Sequence, residues 1–99
     1  GAPVSSDFLM LGSFPNPSVR GTTLRYSLPM ATDVTLEVFD PQGRLVSRQP
    51  LGVQSSGIRT ATVERVGTHS GLYLYRLRMH DPVSRAERAT LAGKVMFLK

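Results

Sequence analysis

Polar and apolar residues alternate along most of this chain with a period of two. In "TTLRYSL", Leu24, Tyr26 and Leu28 fall on one side, and Thr23, Arg25 and Ser27 on the other. "DVTLEVFD" repeats the pattern, with Val34, Leu36 and Val38 inward and Thr35 and Glu37 outward. "GLYLYRLRM" sets Tyr73, Tyr75, Leu77 and Met79 against Leu72, Leu74, Arg76 and Arg78. Shorter runs at Phe8–Leu11, Arg44–Arg48, Ile58–Glu64 and Lys94–Leu98 complete a set of seven predicted strands. No window carries a helical stripe; the polar segment "SRAERATLA" is too short to make one.

The punctuation between the runs fits the same reading. "DPQG" places Asp40 first, Pro41 second and Gly43 fourth in a tight turn. Asp accepts a local backbone bond, Pro presets φ, and Gly takes a left-handed bulge position that closes a hairpin. "LPMATD" is a second polar corner, and "PLGVQSSG" is predicted to be a longer crossing. In "SFPNPSVRG" the Pro-Asn-Pro group lies between two alternating runs and reads as a rigid turn. Seven short strands with turns between them predict an all-β fold, a seven-stranded antiparallel immunoglobulin-like β-sandwich. In such sandwiches a Tyr near the start of the sixth strand bonds back to the preceding corner, and Tyr73 occupies that place behind Gly71.

At 99 residues the chain suits one core. Residues 1–7 read as a linker remnant and residues 8–99 as the domain. No apolar run approaches the roughly 18 to 20 residues of a membrane helix. The chain has no cysteine, which removes disulfides and thiolate chemistry. The formal charge is +5, with ten Arg among twelve cations. These are spaced singly along the strands, the pattern of a solvated face, and no nucleic-acid partner is expected.

Candidate chemistry is sparse. His69 and His80 flank one strand and would stand roughly 30 Å apart, too far to share a metal. Ser70 beside His69 has no orienting carboxylate, and no Gly-x-Ser-x-Gly elbow is present. Asp33 and Asp40 are the acids that a loop-bound cation would use, without a calcium-loop spacing around them. No cofactor and no catalysis are expected. The residues alone describe a binding or structural module.

The ordered set "LGSFPNPSVRGTTLRYSLP", "VTLEVFDPQGRLVSR", "SGLYLYRL" and "GKVMFLK" resembles the C-terminal sorting domain of the bacterial type IX secretion system. It is also similar to the immunoglobulin-like domain of flagellar hook-capping proteins. The resemblance covers roughly residues 9 to 99. Family motifs carry over to Pro15, Asn16, Pro17 and Gly21 in the first corner, and to Gly43 in the hairpin next to Asp40. They also match Gly71 and Tyr73 in a Gly-x-Tyr element, and Lys94 and Lys99 in the last strand.

The resemblance implies a non-catalytic domain that directs a secreted cargo of a Bacteroidetes-type bacterium through the periplasm and across the outer membrane. The cargo then stays at the cell surface or is released. The implied partners are an outer-membrane translocon and a sortase-like peptidase, with peripheral association to the outer membrane or to surface polysaccharide, and the isolated domain is expected to be monomeric. Gly71, Tyr73, Lys94, Val95, Phe97 and Lys99 are the candidate recognition residues. Pro15, Asn16, Pro17, Gly21, Asp40 and Gly43 are candidates for fold geometry. Two departures stand out: the family's Trp-Asp-Gly turn is missing from "VERVGTHSG", and "HDPVSRAERATLAG" reads as an unusually long connection. The alternative is an accessory carbohydrate-binding or cell-adhesion module of a secreted enzyme, suggested by the basic balance and by Phe39.

Overall fold

The computed structural model of the chain describes residues 7–65, 67 and 69–99. The linker expected at residues 1–7 therefore lies almost wholly outside the described residues.

Seven strands follow one another: β1 (Leu9–Phe14), β2 (Gly21–Leu28), β3 (Thr32–Phe39), β4 (Leu45–Gln54), β5 (Gly57–Glu64), β6 (Gly71–His80) and β7 (Glu87–Phe97). They form a three-stranded sheet in the order β1-β2-β5 and a four-stranded sheet in the order β4-β3-β6-β7. All strand pairings within the two sheets are antiparallel. This is the predicted immunoglobulin-like sandwich, with β4 kept beside β3. Among the described residues no helix is long and apolar enough to cross a membrane.

The inward positions of the long alternating runs make the core. Leu24, Tyr26, Leu28, Ala61 and Val63 face Val34, Leu36, Val38, Tyr73, Tyr75, Leu77, Met79, Val95 and Phe97 across the sandwich. The Tyr73 and Phe97 rings meet edge to face, 5.2 Å between centroids, an arrangement that sets the positive ring edge on the negative ring face. The Tyr26 hydroxyl, carried deep by its ring, bonds the Gln54 side chain.

The hairpin "DPQG" forms as its residues dictate. Asp40 Oδ1 accepts from the backbone N–H groups of Gln42 and Arg44, each at 2.9 Å, and Gly43 takes φ +85°.

Three expectations are corrected. β4 runs on through Pro50 and Gly52 to Gln54, so "PLGVQSSG" is mostly strand, and only Ser55 and Ser56 separate β4 from β5. Two bulges, opposite Val34/Thr35 and Val38/Phe39, set the extra residues Leu51 and Val46 in β4. Both pack against the core, which holds an edge strand in place where strict alternation would not.

β7 is likewise longer than Lys94–Leu98, beginning at Glu87. The long connection shrinks to residues 81–86. Asp81 organises it, accepting at 2.8 Å from the backbone N–H groups of Val83 and Ser84 and pairing with Arg88. These backbone bonds, with Arg88 adding to them, pull the Asp81 carboxyl down to about 2.

Lastly, Glu37 points outward as expected but is only 1% exposed. The guanidinium groups of Arg48 and Arg76 close over it from the strands on either side. The cations are thus not simply solvated: Arg44, Arg78, Arg85 and Arg88 also have carboxylate partners.

Candidate recognition site

The motif residues are far apart in sequence and meet at one end of the sandwich. Gly71 pairs with Phe97, and Tyr73 pairs with Val95, which sets the Gly-x-Tyr element against the last strand. Gly71 has φ +137°, and a Cβ there would lie 3.1 Å from Pro41 Cγ of the "DPQG" hairpin. Two constraints therefore call for glycine: a left-handed backbone and a packed neighbour. Tyr73 donates its hydroxyl to the His69 carbonyl at 2.9 Å, the corner bond read for it from the sequence.

The first corner reaches the same place. Both prolyl bonds, Phe14–Pro15 and Asn16–Pro17, are cis. The Asn16 side chain acts as a short substitute strand along the outer edge of β7. Its Nδ2 donates to the Lys94 carbonyl at 2.9 Å, and its Oδ1 accepts from the Met96 N–H at 3.0 Å. Ser18 continues the pairing in a parallel bridge to Phe97, donating its N–H to Met96 O and accepting from Leu98 N–H. The Ser18 hydroxyl in turn donates to the Gly21 carbonyl at 2.6 Å and accepts from the Gly21 N–H at 3.0 Å. At Gly21 a Cβ would stand 3.2 Å from the Val63 carbonyl. Arg65 ties the bundle further, donating to the carbonyls of Val19 and Leu98.

The six recognition candidates are differently placed. Val95 and Phe97 are core residues, 0% and 1% exposed, so their side chains do not face solvent in the folded domain. Tyr73 is buried as well, and Gly71 is half-buried. Lys94 and Lys99 are exposed. Lys94 lies on the outer face of the four-stranded sheet, opposite Leu74, and has no ion pair among the described residues.

Sequence reasoning treated Asn16 as a turn former and missed that it fastens β7. A side-chain amide between two prolines, carrying one donor and one acceptor group, was the available signal.

The histidines and acids singled out from the sequence stand apart in the structure. His69 lies just before β6 and His80 ends it, and Asp33 and Asp40 are engaged by Arg85 and Arg44. Among the described residues no group of three or more His, Asp or Glu side chains could hold a metal ion.

Compared with known proteins, the chain matches the family described as a secretion system C-terminal sorting domain over residues 13–86. That stretch takes in the Pro-Asn-Pro corner, the hairpin and the Gly-x-Tyr element. Among solved structures, the crystal structure of dimeric latent PorU from Porphyromonas gingivalis is similar, with a TM-score of 0.58 and 23% identity. The similarity covers 93% of this chain and 9% of that one, and it concerns the fold. No curated protein matches.

Proposed function

This chain belongs to the family of secretion system C-terminal sorting domains, and from that premise we propose how it is read. The domain is a sorting signal for type IX secretion, which carries its protein across the outer membrane to the cell surface or the medium. The machinery that handles it recognises a folded module and not a linear tag. The outer-membrane translocon and a sortase-like peptidase are the partners, and the domain itself performs no catalysis.

One observation carries this reading: the family's scattered motif residues converge on a single end of the sandwich. Pro15, Asn16, Pro17, Gly21, Asp40, Gly43, Gly71 and Tyr73 each serve a fold-defining contact or turn there. Unfolding would scatter the motif, so recognition that depends on it depends on the fold. The exposed lysines of the terminal strand, Lys94 and Lys99, are the groups a partner touches. Val95 and Phe97 act through the core, by holding that strand at its place.

The test is a fusion of the 99 residues to a reporter bearing an inner-membrane signal peptide, in a host competent for type IX secretion. Export of the reporter to the surface or medium is expected. A folded fusion that stays in the periplasm would overturn the reading. Point substitutions at Lys94 and Lys99 are better probes than deleting residues 94–99, because the deletion also removes two core side chains and the partners of Asn16 and Ser18.

A further inference from the structure

The outer face of the four-stranded sheet carries an apolar groove of about 390 Å³ next to the last strand, lined by Phe39, Leu74, Tyr75, Arg76, Ala92, Gly93 and Lys94. Its construction follows from strand register. Phe39, Leu74 and Lys94 form one row across β3, β6 and β7, and Glu37, Arg76 and Ala92 form the next. Ala92 is short, so a depression opens between Leu74 and Arg76 at the β7 side. Leu74 is 42% exposed although it sits mid-strand on a sheet face. The Arg76 guanidinium lies 5.2 Å from the centre of the Phe39 ring, which fixes a cation over the apolar floor.

The electrostatics favour one kind of occupant. Lys94 is exposed and without a carboxylate partner among the described residues. Arg76 remains 41% exposed despite its bond to Glu37. The acids nearest in sequence to Phe39 are already engaged: Glu37 lies beneath Arg48 and Arg76, and Asp40 holds Arg44. The groove therefore offers apolar area flanked by Lys94, which has no carboxylate partner among the described residues, and by the exposed part of Arg76, whose other side is held by Glu37.

We propose that this groove docks an extended acidic and apolar segment of a protein partner. One apolar side chain rests on Phe39, Leu74 and Ala92, and a carboxylate two residues away meets Lys94 and Arg76. Residues two apart in an extended segment stand roughly 7 Å from one another on the same side. Diagonal neighbours on adjacent strands, as Arg76 and Lys94 are, are about 7–8 Å apart. The inference deepens the sorting reading and rests on it for the identity of the partner, which would be a component of the secretion machinery.

Two measurements separate the two claims. In the first, the 99-residue chain is titrated by NMR with a capped pentapeptide carrying leucine and aspartate two residues apart. Amide shifts confined to Ala92, Gly93, Lys94, Leu74 and Phe39 are expected. Lys94→Glu and Leu74→Ser, each verified as folded by circular dichroism, should weaken the titration about tenfold or more, and Lys94→Arg should retain it.

No shifts, equal shifts with a lysine-for-aspartate peptide, or sedimentation with phosphatidylglycerol vesicles in place of peptide binding would overturn the proposal. In the second, the same variants are placed in the reporter fusion. If the unmodified fusion is exported and both Lys94→Glu and Leu74→Ser are exported equally well, the groove is not the docking site while the sorting role stands. If the unmodified fusion is retained, the sorting role fails, and the peptide titration alone decides the groove.

Discussion

Gly93 shows how much a single position can constrain this fold. A Cβ there would lie 2.3 Å from the Tyr75 hydroxyl and 2.6 Å from the ring carbon that bears it. The ring of Tyr75 crosses the edge strand through the space that glycine leaves, an aromatic covering a strand glycine. Gly93→Ala is expected to cost about 1–3 kcal/mol, because the ring is held in a packed core and must shift. Urea denaturation measures this. The same change in a Tyr75→Leu background should cost much less, so that the double-mutant cycle shows strong coupling. Equal costs in both backgrounds would mean that the ring is not the obstacle.

The roles of Gly71 and Tyr73 were legible from sequence, since a corner, a glycine and an inward tyrosine have a local signature. Those of Gly93 and Asn16 were not. Each depends on a residue that only the folded sheet brings near: Tyr75 across the ladder in one case, and β7 about 80 positions away in the other.

Among the elements, legibility followed how well each strand kept its period. The runs in β2, β3 and β6 alternate without interruption and were placed correctly to within a residue or two. β4 contains two bulges, each of which shifts the period by one, so its apolar residues Val46 and Leu51 no longer share a parity. The inward face of β7 includes Ala89 and Gly93, which carry little hydrophobic signal, and only its end read clearly.

The outward face of the four-stranded sheet hid a different feature. Arg48, Glu37 and Arg76 form a rung across β4, β3 and β6. Burial would raise the Glu37 carboxyl, but the hydrogen bonds and charges of the two arginines outweigh it and leave it lowered. A carboxyl lowered in the folded state contributes stability that is present above its unfolded value and is lost as pH falls through the folded one. Acid titration of stability should therefore show a loss below about pH 4 that is reduced in Glu37→Gln. At neutral pH that variant should be less stable by about 1.5–3 kcal/mol, the range for hydrogen bonds to a charged group. An unchanged acid profile would exclude Glu37 as a contributor.

For the molecule as a whole, the outer face of the four-stranded sheet and one end of the sandwich stand out. One outer face pairs most of its charges and keeps an apolar groove beside Lys94. One end gathers Asn16, Gly21, the Asp40–Gly43 hairpin, Gly71 and Tyr73. Between them, the corner at Asn16 and Ser18 joins the three-stranded sheet to the far edge of the four-stranded one. Asn16→Ala should cost about 1–2 kcal/mol in total for its two bonds. Hydrogen exchange should locate the effect, with the Met96 amide losing protection well before the amides of β3. Uniform loss across both sheets would mean that the fastening is not local.

That fastening has a consequence for the order of events as the chain is made. Residues near position 16 emerge early, yet their bonding partners arrive only with Lys94, Met96 and Leu98. Contacts of such long sequence separation form slowly and late. Until then Tyr73 lacks Phe97, Tyr75 lacks the strand it crosses, and the early corner has nothing to hold. A chain broken off before Met96 lacks the backbone partners of Asn16 Oδ1 and Ser18 and the ring that packs on Tyr73. Closure of this end of the domain therefore waits on its last strand, and the early corner is fastened only when that strand docks.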